Sequence, residues 1–349
     1  MSGRGRHLVV VGAGVTGLLT AVRCAVAGVR VTVLDAGPVP NPASTSHDEH
    51  RAIRALDPGD VAATRASAAL HRRWLELESL LGTRFYRRVG VVTGWPADAV
   101  DAALDVARDA GTPVSAVEPE KYPHLRFPAG SVGLLEADAG VLLAERVLDA
   151  AARWSREHPL VTLRPDQAVR EVDVDTAAVR LADGSTVRGD ALLVAAGPWS
   201  GDLVDVPTVL HRQTTVHLTP PDDLAHWWDG APSAGRIGDD GQAWLLPPGA
   251  GTRLKISSAT LCREVGTVAD PGDDAATWAE RLALSSVLAD HERYTVTAVR
   301  TCHYAVDADT GAGRLVRTGP STWARAASGG DGFRTAPVVA ERIAEEVGT

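Results

Sequence analysis

The chain has 349 residues, 45% of them hydrophobic and 23% charged, with a formal net charge of −9. That length points to two domains with a sizeable core, and the acid excess, with no basic run, argues against a nucleic-acid surface. No apolar stretch approaches the ~20 residues a membrane span needs, and Cys24, Cys262 and Cys302 are too scattered for a disulfide framework or zinc site.

Met1 to Arg6 lead directly into an apolar run, so we expect no signal peptide and a cytoplasmic protein. His7-Leu8-Val9-Val10-Val11 reads as a buried parallel strand. Gly12-Ala13-Gly14-Val15-Thr16-Gly17 follows, then Leu18 to Ala27 with helical spacing, Gly28 as a stop, and a second strand, Val29 to Leu34, closing on Asp35. This is a G-x-G-x-x-G turn inside a βαβ unit, with its acid about twenty residues on. Gly12 permits the tight turn, Gly14 the approach of a pyrophosphate, and Gly17 close packing of helix on strand. The helix N-terminus, at Val15 and Thr16, offers N–H groups to phosphate oxygens. Asp35 is suited to accept hydrogen bonds from both ribose hydroxyls and to repel a 2′-phosphate. The unit is read as a dinucleotide site.

Farther on, Asn41 to Arg54 is a polar loop, Val61 to Leu81 an amphipathic helix, and Arg88 to Gly94 strand-like. Residues 97–120 look helical, with a turn at Gly111-Thr112-Pro113. Val132 to Leu135 is a short strand, Gly140 to Leu143 opens a helix from Ala144 to Glu157, and short strands follow at 160–163 and 168–174. Asp183-Gly184 turns a hairpin between 178–181 and 186–188. Asp190 to Ala196 is another buried strand, ending on Gly197. From about 206 to 300 the pattern alternates as strands do, interrupted by a Pro/Gly/Asp-rich stretch at 219–241. Ser328 to Phe333 is glycine-rich and precedes a last helix, Ala336 to Val347. A nicotinamide dehydrogenase would continue βαβ through its first half. Here a polar loop and mixed strands intervene, and segments ending at Gly197 and Gly329-Gly330 are placed to return to the first turn. The layout favours FAD over NAD and leaves both open.

Taken in order, these motifs resemble the D-amino-acid-oxidase superfamily, most closely its monomeric sarcosine oxidase and N-methyltryptophan oxidase branch. The resemblance rests on the glycine turn and on Ser46-His47-Asp48-Glu49-His50-Arg51-Ala52-Ile53-Arg54, similar to a family S-H-G-D-T-R-x-x-R pattern. Gly133-Leu134-Leu135-Glu136, Gly140-Val141-Leu142, Gly197-Pro198-Trp199, His211-Arg212-Gln213 and Leu254-Lys255-Ile256 continue it. Thr301-Cys302-His303-Tyr304 and Gly330-Asp331-Gly332-Phe333-Arg334 complete it. It implies an FAD oxidase that converts a secondary amine or amino acid to an imine and reduces O₂ to peroxide.

The resemblance also implies roles. Arg54 and Arg334 occupy the positions of two cationic carboxylate contacts; a guanidinium can grip a carboxylate through parallel hydrogen bonds. The alternative is surface arginines paired with neighbouring acids. Arg51 falls where an arginine lies against the flavin, and a fixed cation there would favour an electron-rich reduced ring. His47 falls beside it, as a ring contact or a loop-stabilising histidine. Lys255 matches a lysine that activates oxygen by offering positive charge to the anion formed on electron transfer; the alternative is an outward lysine on an edge strand. Cys302 matches a cysteine joined covalently to the flavin, against the reading of a small buried apolar residue. Ser46, Val169, Gly197, Trp199, Gly330, Gly332 and Phe333, with Arg334, fall at further cofactor positions.

Asp48, Glu49 and His50 replace small and hydroxyl residues of the family's loop. Two further departures bear on the substrate. Trp244 stands where the family has a tyrosine, and Ala259 where it has a histidine. The pocket has lost polar groups and gained an indole, so a larger, cyclic or aromatic amino acid is expected rather than sarcosine.

The expectation is thus an α/β protein: a Rossmann-like FAD-binding domain (1–85, 142–205 and 300–349) and a substrate domain on a mixed, mainly antiparallel sheet (86–141 and 206–299). Its expected partners are a small amine or amino acid and O₂, with no nucleic acid or membrane, in a monomer or weak dimer. Two rivals stand: a flavin dehydrogenase with another electron acceptor, and a non-catalytic flavin-binding protein.

Overall fold

A computed structural model describes residues 5–269 and 286–348. Strand β1 (His7–Val11), helix α1 (Val15–Val26) and strand β2 (Arg30–Leu34) form the expected βαβ unit. β1 is the centre of a six-stranded sheet in the order 314–319, 322–327, 191–194, β1, β2, 161–164. Its inner pairs are parallel, with Leu8 opposite both Ala191 and Val31. Leu8, Val9 and Val10 are fully buried, as a strand covered on both faces requires. The helices Ala144–Glu157 and Gly332–Gly348 join α1 on one face. A three-stranded sheet, 169–173, 178–181 and 186–188, packs on the other.

The helix Val61–Leu81 has the expected bounds. Asp60 caps it by accepting the Ala63 N–H at 2.9 Å, and Gly82 ends it in the left-handed region.

The second layer is a nine-stranded sheet, antiparallel except between Val91–Pro96 and Ser233–Ile237. Its long strands Thr208–Thr219 and Thr295–Asp307 pair along their whole length. Thr295–Asp307 runs through residue 300, so the domain boundary expected there falls inside a strand of this sheet. A three-stranded ribbon, Arg51–Ile53, Gly140–Leu142 and Tyr86–Arg87, lies between the two large sheets.

Three local expectations are corrected. The helix expected over 97–120 stops at Ala110, with Gly111 left-handed, and Val114–Val117 is a strand paired to 133–136. The loop expected over 41–54 ends in the strand Arg51–Ile53. The last helix begins at Gly332, four residues early, and carries Pro337 within it. In the 206–300 stretch, residues 270–285 lie outside the described residues.

Among the described residues, no helix is long and apolar enough to cross a membrane. No group of three or more His, Cys, Asp or Glu side chains among them is arranged to hold a metal.

Candidate active site

The glycine turn is built to the limit of backbone contact. A Cβ on Gly12 would lie 2.3 Å from the Ala195 carbonyl oxygen, and one on Gly17 would lie 1.9 Å from that of Gly12. α1 has no acidic residue in its first turn and no side-chain cap at Gly14, so its positive end faces open space. The Val15 N–H donates to Ser46 Oγ at 3.0 Å, tying the helix start to the polar loop.

Asp35 is occupied more heavily than the sequence suggested. Its carboxylate accepts from the Ala13 N–H (2.7 Å), the Gly37 N–H (3.0 Å) and Asn41 Nδ2 (2.9 Å). A carboxylate has about four acceptor sites. One remains, rather than the two a pair of ribose hydroxyls would take.

From this turn a cavity of about 810 Å³ runs toward the second sheet. Gly12, Gly14, Val15, Thr16 and Asp35 line one end, with Val169, Gly197 and Trp199 along its wall. Ser46 also lines it beside the turn, and Arg51, Cys302, Gly330, Gly332 and Phe333 line the other end. Tyr304 and Arg325 also line it and were not anticipated; Arg325 is buried in the strand Thr322–Ala327, which looks like any central strand in sequence. The volume lies high in the range of about 300–1,000 Å³ typical of small-molecule sites.

Side chains of the antiparallel sheet close the far end. Successive residues of a strand point to opposite faces. Lys255 stands opposite His217, and Trp244 opposite Ser257. Gln213 stands opposite Cys302, and Thr215 opposite Arg300. These residues therefore share one face of the sheet. Thr45 Oγ1 donates to the His303 carbonyl at 2.6 Å, holding the polar loop against that face.

Lys255 is 3% exposed, so its side chain points inward. Its ammonium donates to Asp48 and lies 3.4 Å from the His50 carbonyl oxygen and 5.8 Å from the centre of the Trp244 ring. Arg51 donates to the same Asp48 oxygen and to the Thr45 carbonyl (2.6 Å), and its guanidinium lies 6.0 Å from the Phe333 ring centre. Burial and the Arg51 guanidinium push the Lys255 pKa well below its ordinary value. Asp48 is ion-paired with the ammonium.

Behind them, Glu49 accepts from Arg253 Nε (2.6 Å) and the Arg253 N–H (2.7 Å), with His217 Nδ1 at 3.6 Å. Burial pushes the Glu49 carboxyl up, but its bonds to His217 and Arg253 outweigh burial and hold it below the usual range. His50 is fully buried, and its pKa is pushed down to about 3 by burial first and the Lys255 charge second.

Arg54 and Arg334 come together. Arg334 Nη1 lies 3.4 Å from the Arg54 carbonyl oxygen. Arg54 donates to the Leu56 carbonyl at 2.8 Å, and Arg334 to Asp331 at 3.3 Å. Buried Glu136 holds the loop behind Arg54 by accepting the Ala55 and Leu56 N–H groups at 2.7 and 3.1 Å. Arg54 is exposed, and neither it nor Arg334 is among the residues that line the cavity. His47 stands apart, 3.7 Å from Glu145 on the outer side of the loop, and does not line the cavity.

The family described as "FAD dependent oxidoreductase" matches residues 7–346. The chain belongs to that family. Human peroxisomal sarcosine oxidase is 27% identical over 202 residues, covering 56% of this chain and 51% of that protein. N-methyl-L-tryptophan oxidase of Salmonella dublin is 29% identical over 206 residues, covering 56% and 55%. Thus the chain spans about half the length of the curated relatives it matches. Among solved structures, L-proline dehydrogenase from P. horikoshii has a TM-score of 0.80 at 18% identity, covering 98% of this chain and 92% of that one. Amadoriase I from Aspergillus fumigatus has 0.77 at 19%, covering 99% and 87%. These likenesses extend over nearly the whole chain and establish the fold.

The residues present fit the family's cofactor. The glycine cradle excludes even a Cβ at Gly12 and Gly17, the first turn of α1 carries no acid, and a cavity of about 810 Å³ is lined both by that turn and by Cys302 of the second sheet. When bound, FAD supplies a two-electron acceptor. Gly12, Gly14 and Asp35 would hold its adenosine diphosphate end, and Arg51, Cys302 and Phe333 its ring end.

Proposed function

We propose that this flavoprotein is an oxidase acting on the C–N bond of an amino acid or N-substituted amino acid, giving an imine and hydrogen peroxide. The observation that carries the reading is the contact of Arg334 with Arg54, three residues along the chain from Arg51, together with the meeting of Arg51, which lines the cavity, and Lys255 at one Asp48 oxygen. The first pair suits a substrate carboxylate, and the second suits negative charge gained by ring or oxygen. Two electrons and two protons leave the amine carbon and nitrogen, and O₂ takes up both to become H₂O₂. Arg54 and Arg334 bind and orient the carboxylate; the wall beside Lys255, with Trp244, excludes water.

Trp244 supports a cyclic or aromatic substrate, because an indole on the site face offers stacking area and no hydrogen bond along its ring. Cys302 lines the ring end as a free thiol, which supports a covalent link there. The experiment is to load the protein with FAD and screen N-methylated, cyclic and aromatic amino acids for anaerobic bleaching and for peroxide in air. A flavin that no amino acid bleaches would overturn the reading.

One observation favours a second reading, a dehydrogenase using another acceptor: Asp48 sits against Lys255 and offsets the charge meant for oxygen. Under it, amino acids bleach the flavin anaerobically but release little peroxide in air.

A further inference from the structure

The ring end holds two inward cations, and one carboxylate serves both. Asp48 Oδ2 accepts from Arg51 and from Lys255. Its other oxygen accepts the Glu49 N–H at 2.7 Å, so its orientation is fixed from the backbone. Its own carbonyl accepts the Glu145 N–H at 3.1 Å, which anchors it to the helix Ala144–Glu157. Asp48 and Lys255 are both buried. Charges this close, in a region of low dielectric, are felt by any ring placed against them far more than in water.

Resting on the flavin-oxidase reading above, we infer that Asp48 is a positioning residue that sets the charge at the ring end. It cancels one of the two cations, lowers the reduction potential of the bound flavin and slows its reaction with oxygen. The structural logic is electrostatic. A reduced, electron-rich ring is stabilised by neighbouring positive charge, and Asp48 halves that charge while holding Lys255 and Arg51 at fixed positions. Glu49 is engaged by Arg253 and His217; its charge also favours the Lys255 ammonium, whereas Asp48 bonds that ammonium directly.

The test uses the full chain loaded with FAD, with the midpoint potential measured by reductive dye titration and sulfite affinity by flavin absorbance. Asp48→Asn keeps the acceptor for the Glu49 N–H and removes only charge. It is expected to raise the affinity for the reduced over the oxidised flavin at least tenfold, a shift of about +30 mV for a two-electron couple. Its sulfite dissociation constant should fall at least tenfold. Lys255→Met should move both in the opposite direction. The double variant has the native net charge and should return to within threefold of native, which also covers the case in which Asp48→Asn folds poorly. Asp48→Glu should resemble native. A purely structural Asp48 would alter melting temperature and leave the potential flat across the series, and that outcome overturns the inference. Failure of native protein to take up FAD, or to be bleached by any amino acid, would instead remove the reading beneath it.

Discussion

Acidification should destabilise this fold through His50, and the size of the effect can be worked out. Both ring nitrogens are buried without a hydrogen-bond partner, and the folded pKa is about 3 against an ordinary 6.5. Between those values the unfolded chain binds more protons than the folded one, so stability is fully present above 6.5 and is lost as pH falls. From pH 7.5 to 5.0 the loss is about 2 kcal/mol. His71, pushed down to about 4 by burial, adds a loss of the same sign. Leu in place of His50 is apolar and of similar bulk. His50→Leu should therefore lie within about 1.5 kcal/mol of native at pH 7.5 and gain about 2 kcal/mol on it by pH 5.0. At about 2.1 cal/mol/K per residue, a chain of this size moves about 1.4 °C per kcal/mol, so the gap in melting temperature should widen by about 3 °C. Thermal melts at saturating FAD across that pH range test this. Parallel pH profiles for native and variant would refute the assignment of a neutral, buried His50.

Other outcomes follow from the same geometry. Gly17→Ala forces a methyl to within 1.9 Å of a backbone oxygen and should abolish FAD retention on gel filtration, whereas Gly28→Ala, with nothing within 4 Å but a left-handed backbone, should lower the melting temperature and keep the flavin. Arg54→Met should lower kcat/KM for a carboxylate substrate by about 10- to 150-fold, the value of a charged hydrogen bond. Arg334→Met should cost less, since Arg334 already serves Asp331; steady-state kinetics on both decides the order. Acid precipitation should leave the native pellet yellow and release free flavin from Cys302→Ser; FAD in the native supernatant would dismiss the covalent link.

Much of the fold was legible because its signals are local. The β1–turn–α1–β2 unit needs only an apolar run, three glycines and an acid, all within 35 residues, and it forms as read. The helix Val61–Leu81 carries its own cap and stop, Asp60 and Gly82, so its bounds follow from sequence. Val114–Val117 does not: it is short and half-exposed, and becomes a strand only because Ser131–Glu136 lies beside it. The strand Arg51–Ile53 likewise exists through pairing with Gly140–Leu142.

The partners of the site cations were illegible for the same reason on a longer scale. Lys255 could be read as inward from its apolar neighbours, but the carboxylate that meets it is 207 residues away, and Arg253 meets Glu49 from 204 away. The sequence marked Asp48 and Glu49 only as departures from a pattern, and a departure says nothing about what it faces. Physical chemistry narrows the choice once the fold is closed. A buried ammonium and a buried guanidinium side by side cannot persist without a counter-charge. An enzyme that keeps both at its ring end must therefore bring an anion with them or draw one from its ligands. This chain supplies that anion itself, as Asp48. On the proposed reading a substrate carboxylate is left to Arg54, whose guanidinium donates to the Leu56 carbonyl.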